Sequence, residues 1–127
     1  MRQPFSISDA GGPADIEIVR GLFLAYQKAL DVDLCFQGFD EELASLPGKY
    51  APPEGALILA RVDGALAGCV ALRRIDACTC EMKRLYVRDA FRGLGLGRAL
   101  VARILAEARA RGYAAMRLDT LATMDAA

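Results

Sequence analysis

The sequence predicts an α/β domain in the α+β sense: one mixed sheet with helices on its faces. Three observations carry this reading. Asp63-Gly64 sits between two apolar runs, "ALILARV" and "ALAGCVALRRI", which is a hairpin signal. Apolar residues recur at helical spacing from Ile16 to about Leu30, and again from Leu96 to Arg111. Strand patterns flank that second helix, "TCEMKRLYV" before it and "AAMRLDTL" after it, so 79–121 reads as one right-handed βαβ unit with parallel strands.

Each element has its own signal. "PFSIS" is a short first strand, and "DAGGPAD" is a turn in which Asp15 or the Gly-Pro step starts a helix. Ile16, Val19, Leu22, Phe23, Tyr26 and Leu30 then mark one helical face. "FDEELASL" reads as a second, short helix, and "PGKYAPPEG" as a loop rich in breakers. Two hairpin strands and the strand "TCEMKRLYV" follow, then the loop "RDAFRGLG" and an amphipathic helix over 96–111 with Gly112 as its C-terminal stop. The predicted order is β-α-α-β-β-β-α-β, in a single domain spanning 1–127.

Composition narrows the chemistry. A chain of 127 residues can bury a real core. Its 16 basic and 16 acidic residues cancel, so no bulk attraction to nucleic acid or to a membrane is expected. Histidine is absent, which excludes imidazole as base or metal ligand. Cys35, Cys69, Cys78 and Cys80 show no zinc spacing, and no metal is expected. They read as buried reduced thiols, with Cys78 and Cys80 sharing a face if both lie on a strand. No signal-peptide pattern opens the chain and no apolar run reaches membrane-spanning length, so a cytoplasmic protein is expected.

The most informative stretch is "FRGLGLGRAL". Glycines at 93, 95 and 97 would ruin an ordinary helix, yet they stand where one begins. Helix starts leave amides without partners and carry partial positive charge, so an anion sits well there. Bare glycines let those amides converge on phosphate oxygens, and Arg92 and Arg98 add charge beside them. A tight turn with close helix–strand packing would account for one or two of the glycines, so a phosphate or pyrophosphate is the better reading. A P-loop needs G-x-x-x-x-G-K-[ST], which is absent. A Rossmann fingerprint needs G-x-G-x-x-G, where position 98 is arginine; Asp119 is the residue that would mimic its ribose-binding acid.

The run "LYVRDAFRGLGLGRALV" resembles the acetyl-coenzyme A signature of the GNAT superfamily of N-acetyltransferases. The family motif Q/R-x-x-G-x-G/A is met by Arg92, Gly95 and Gly97, and the element order from Phe5 to Leu121 is similar to that fold. The resemblance implies that the pyrophosphate of acetyl-CoA rests on Arg92, Gly93, Leu94, Gly95, Leu96, Gly97 and Arg98. It implies that the pantetheine arm runs along Leu85, Tyr86 and Val87, and that strands 79–87 and 115–121 splay to admit the thioester. It also implies direct attack by the amine of a small-molecule or peptide acceptor, with no covalent enzyme intermediate. Alternatives are an acyl-CoA-binding module without turnover and a dinucleotide-binding oxidoreductase.

Charged residues divide between roles. Glu81, eleven residues before Arg92, matches the position where some amine-acetylating family members place a general base; it could equally pair with Lys83 or Arg84, or face solvent. Asp31, Asp33, Asp40, Glu41 and Glu42 read as a solvated cluster, with recruitment of a cationic amine as the functional alternative. Tyr26, Phe36 and Phe39 could line an acceptor pocket, core packing being expected for at least one. Family members usually continue past "LATMDAA" with another helix and two more strands. They often carry N-x-x-A-x-x-L-Y across that junction, where Met124 and Ala127 stand here. The resemblance therefore predicts a fold lacking its C-terminal helix and last two strands, either a fragment or one completed from elsewhere, with self-association, such as a homodimer, expected.

Overall fold

The first strand, β1 (Phe5–Asp9), runs antiparallel to β2 (Ala56–Val62), and the long segment between them crosses one face of the sheet. That segment contains helices α1 (Gly12–Leu30) and α2 (Phe39–Ser45) and a short 3₁₀ turn at Gly48–Tyr50. Strands β3 (Ala65–Arg74) and β4 (Thr79–Val87) continue the antiparallel meander; helix α3 (Leu96–Ala110) then returns the chain to β5 (Ala115–Leu118), parallel to β4. The sheet order is β1-β2-β3-β4-β5. This is a computed structural model, and it describes residues 5–30 and 39–118. Asp31, Asp33, Cys35, Phe36, Asp119, Met124 and Ala127 lie outside the described residues. Among those described, no helix is long and apolar enough to cross a membrane.

Period-2 alternation splits the sheet into two apolar faces. Ala56, Ile58 and Ala60 pack with Leu96, Leu100, Ile104 and Ala108 of α3. Leu57 and Leu59 pack with Val19, Leu22, Phe23 and Tyr26 of α1 and with Phe39 of α2. The hairpin at Asp63-Gly64 forms as the sequence predicts, with both residues in the left-handed region (φ 50° and 85°) that a two-residue type I′ turn requires. Helix α3 ends in a Schellman arrangement: the Tyr113 amide donates to the Ala108 carbonyl (3.1 Å) and the Gly112 amide to that of Arg109 (3.0 Å).

Two irregularities interrupt the alternation. Pairing steps from Ala60↔Gly68 to Arg61↔Leu66, which leaves Ala67 as an extra residue in β3. It steps again from Cys69↔Tyr86 to Ala71↔Lys83, so Arg84 and Leu85 together oppose Val70. Gly68 is needed here, since a Cβ at that position would come within 2.4 Å of the Tyr86 carbonyl oxygen. Because of this second bulge, Met82 and Leu85 face the same α3-side core although they are three residues apart.

The cysteines depart in part from the sequence reading. Cys69 and Cys80 are buried free thiols, as expected, but Cys78 is exposed. It precedes β4 in a turn where the Asp76 carboxylate accepts from the amides of Cys78 and Thr79, both at 2.9 Å, so it shares no strand face with Cys80. Burial pushes the Cys69 thiol up to about 12 and also raises that of Cys80. A thiol reagent at neutral pH should therefore label Cys78 in the native protein and spare Cys69 and Cys80 until it unfolds. Peptide mapping of labelled protein checks this, and early labelling of Cys69 would contradict the packing.

Candidate active site

β4 leads into the glycine loop through a 3₁₀ turn at Asp89–Phe91. Gly93 (φ 86°) and Gly95 (φ 83°) both occupy the left-handed region, and Gly95 caps the start of α3. A Cβ at Gly93, Gly95 or Gly97 would meet no atom within 4 Å. Close helix–strand packing therefore explains none of the three. Turn conformation explains Gly93 and Gly95 but not Gly97, whose φ carries no such requirement. What remains is an open cradle at a helix N-terminus, the arrangement in which bare backbone amides meet an anion. Arg92 and Arg98 flank it as exposed side chains, Arg92 in an ion pair with Asp89 at 3.0 Å. Leu94 is exposed at the loop, whereas the Leu96 side chain is buried against the sheet, so Leu96 can offer a ligand only its backbone. The residues present thus fit a phosphate-bearing cosubstrate.

Leu85, Tyr86 and Val87 form the end of β4 that feeds this loop. Leu85 and Val87 pack toward α3, while Tyr86 turns to the other face and meets Tyr26 edge-on, with ring centroids 6.2 Å apart. The described pairing of β4 with β5 runs from Thr79↔Ala115 to Met82↔Leu118.

Glu81 lies upstream on the same strand, where the register sets Arg73 of β3 on one side and Arg117 of β5 on the other. Arg73 Nε donates to Glu81 Oε1 at 2.8 Å, so its arginine partner is Arg73 across the sheet rather than Lys83 or Arg84 along the strand. Glu81 stands on the face covered by α1 and α2, opposite Cys80 and Met82.

That face holds a feature the sequence reading missed. Glu42 is not part of a solvated cluster; its side chain is 3 % exposed and pairs with Arg84, which is fully buried. Arg84 Nε and Nη2 donate to the two Glu42 oxygens, each at 2.9 Å, in a bidentate pair. The guanidinium lies over the rings of Phe39 (5.2 Å) and Tyr26 (5.8 Å). Both aromatics are core residues rather than open pocket walls. Asp40 and Glu41 are exposed, as read from the sequence. Beside the pair, a cavity of about 280 Å³ opens among Glu42, Ser45, Pro47, Lys49 and Tyr50. Lys49 approaches Glu42 at 3.7 Å, yet burial holds its ammonium below the usual lysine range, outweighing the pull of Glu42. Burial, and then the Glu42 carboxylate, push the Tyr50 phenol above its ordinary value, so it stays protonated at any working pH.

Comparison with known proteins decides what this architecture is. Residues 23–127 match the Acetyltransferase (GNAT) family. The chain belongs to that family. An uncharacterized N-acetyltransferase of Schizosaccharomyces pombe is 43 % identical to this GNAT chain over 122 residues, covering 94 % of it and 74 % of the relative. In fold, it is similar to an acetyltransferase from Streptococcus agalactiae, with a TM-score of 0.77 at 24 % identity, over 98 % of this chain and 77 % of the other. A GNAT acetyltransferase from Elizabethkingia anophelis with acetyl-CoA bound gives a TM-score of 0.59 at 25 % identity, over 88 % of this chain and 62 % of that one. This chain is accordingly an acetyl-CoA-dependent acetyltransferase with a mixed α+β fold.

Proposed function

We propose that the protein transfers the acetyl group of acetyl-CoA to the amine of a small molecule or peptide by direct attack in a ternary complex. The open glycine cradle at the head of α3 carries this reading, because neither packing nor turn geometry accounts for Gly97. In the proposal the amides of Gly93–Gly97 hold the pyrophosphate, with Arg92 and Arg98 supplying charge. The backbone of Leu85, Tyr86 and Val87 lies along the pantetheine arm. Glu81 receives a proton from the incoming ammonium, whose unperturbed pKa near ~10 otherwise leaves little free amine at neutral pH. The amine nitrogen bonds to the carbonyl carbon, the C–S bond breaks, and CoA leaves as a thiolate that is then protonated. Much of the acceleration comes from holding the two reactants together, with backbone amides stabilising the developing oxyanion.

The test is thiol release from acetyl-CoA across a panel of amines, with acetylated product identified by mass. Amine-dependent release at rates well above the enzyme-free reaction is expected. CoA binding without amine-dependent release would overturn the transfer, and absence of CoA binding would overturn the cradle as well.

A further inference from the structure

Arg84 combines three properties rarely found in one residue. It is a non-glycine residue at φ 58°, it sits in the β4 bulge opposite Val70, and its charge is wholly buried. A positive φ strains an ordinary residue and persists only where the surroundings enforce it. Here they do so from several sides. Glu42 accepts from Nε and Nη2 along one edge of the guanidinium, Phe39 and Tyr26 flank it, and the Cys69 thiol donates to the Arg84 carbonyl at 3.4 Å.

A buried ion pair is a poor source of stability, since apolar residues of similar volume often do as well or better. What a bidentate pair adds is orientation, because two planar groups meet in a fixed geometry. Arg84 immediately precedes Leu85, Tyr86 and Val87, and a bulge re-aims the strand that follows it. We infer that Arg84 and Glu42 act as positioning residues, a clamp by which α2 holds the β4 bulge and so sets the direction of the Leu85–Val87 backbone. The inference rests on the proposal that this backbone carries the pantetheine arm. It joins α2 to the proposed cosubstrate strand across 42 residues of sequence.

The test separates positioning from stability by using glycine, which adopts positive φ without cost. R84M/E42M removes the pair while keeping apolar volume, and is expected to fold with a melting temperature within a few degrees of wild type. Its turnover should fall about tenfold or more, and NMR should show the Cys69–Tyr86 and Ala71–Lys83 pairings replaced by a regular register. R84G/E42M should melt lower than R84M/E42M yet turn over faster, with the bulge restored. Rate and stability moving in opposite directions is a result that a purely structural pair does not produce. Wild-type turnover or an intact bulge in R84M/E42M would overturn the inference, as would a glycine variant no faster than the methionine one. If R84M/E42M does not fold, comparison of R84G/E42M with R84A/E42M decides by the same criteria. Should wild type transfer acetyl to no amine, the proposed function fails, and the NMR register alone decides whether the clamp exists.

Discussion

Replacing Glu81 with glutamine is expected to lower the rate of acetyl transfer about a hundredfold, the usual scale for losing a general base, while leaving CoA affinity within a few-fold of wild type. The substitution preserves shape and can still accept a hydrogen bond from Arg73 Nε, so the cross-strand contact survives in neutral form. Glu81 itself is largely buried, but Arg73 is 31 % exposed, so water can solvate the guanidinium once its partner is neutral, and the loss of stability should be moderate. The rate defect should shrink as pH rises toward the amine's own pKa, because free amine then forms without help. Steady-state kinetics from pH 7 to 10, with melting temperature and CoA calorimetry as controls, give the answer. Full activity at neutral pH in Glu81→Gln would reduce Glu81 to the partner of Arg73, leaving the cradle assignment untouched.

Gly97→Val should weaken CoA binding by about tenfold or more while changing the stability of the free protein far less; alanine, which the family motif accepts at this position, should be tolerated. No protein atom lies within 4 Å of a Cβ built there, and the residue stands in the first turn of α3 without a positive φ. A side chain at this position therefore starts in open space, and its restriction of the unfolded chain offsets the modest helix propensity of valine. In the complex its two γ-methyls occupy space that phosphate oxygens would use to reach the amides. Charge-assisted hydrogen bonds contribute about 1.5–3 kcal/mol each, and about 1.4 kcal/mol is a tenfold change in affinity. Gly95→Ala is a less discriminating variant, since φ 83° strains any side chain and mixes folding with binding. Calorimetric titration with CoA beside thermal melts of the free protein checks both halves. Unchanged affinity in Gly97→Val would mean that nothing approaches the loop closely.

Local signals located most of the frame. The Asp63-Gly64 turn, the helical periods of α1 and α3, and the Gly112 stop each depend on a few neighbouring residues whose backbone preferences are intrinsic, and all three stand as read. The glycine loop was legible for the same reason: three bare positions before an apolar helix have few physical uses. Of the two helix starts that the sequence offers, the Gly-Pro step is the one used: α1 begins at Gly12, in the left-handed region at φ 79°, with Pro13 next in its first turn. Strand β4 begins at Thr79, as read, so the condition under which Cys78 and Cys80 would share a face is not met.

By itself the sequence determined the mixed sheet, the order of its elements, and an open glycine loop at the head of the last described helix. Tertiary structure alone decided which charges meet. Glu42 lies among acids that share a helix start, and nothing near it in the chain marks it for burial. Its partner is brought to it only when α2 folds over β4. Glu81 was within reach of Lys83 and Arg84 by spacing, yet sheet register gave it Arg73, because cross-strand neighbours sit closer than alternate residues along one strand. The β4 bulge left no trace in composition either. Periodicity assigns Met82 and Leu85 to opposite faces, and one unpaired residue returns them to the same core. A bulge is a property of two strands in register, so its cause lies in long-range packing that no single stretch of sequence contains.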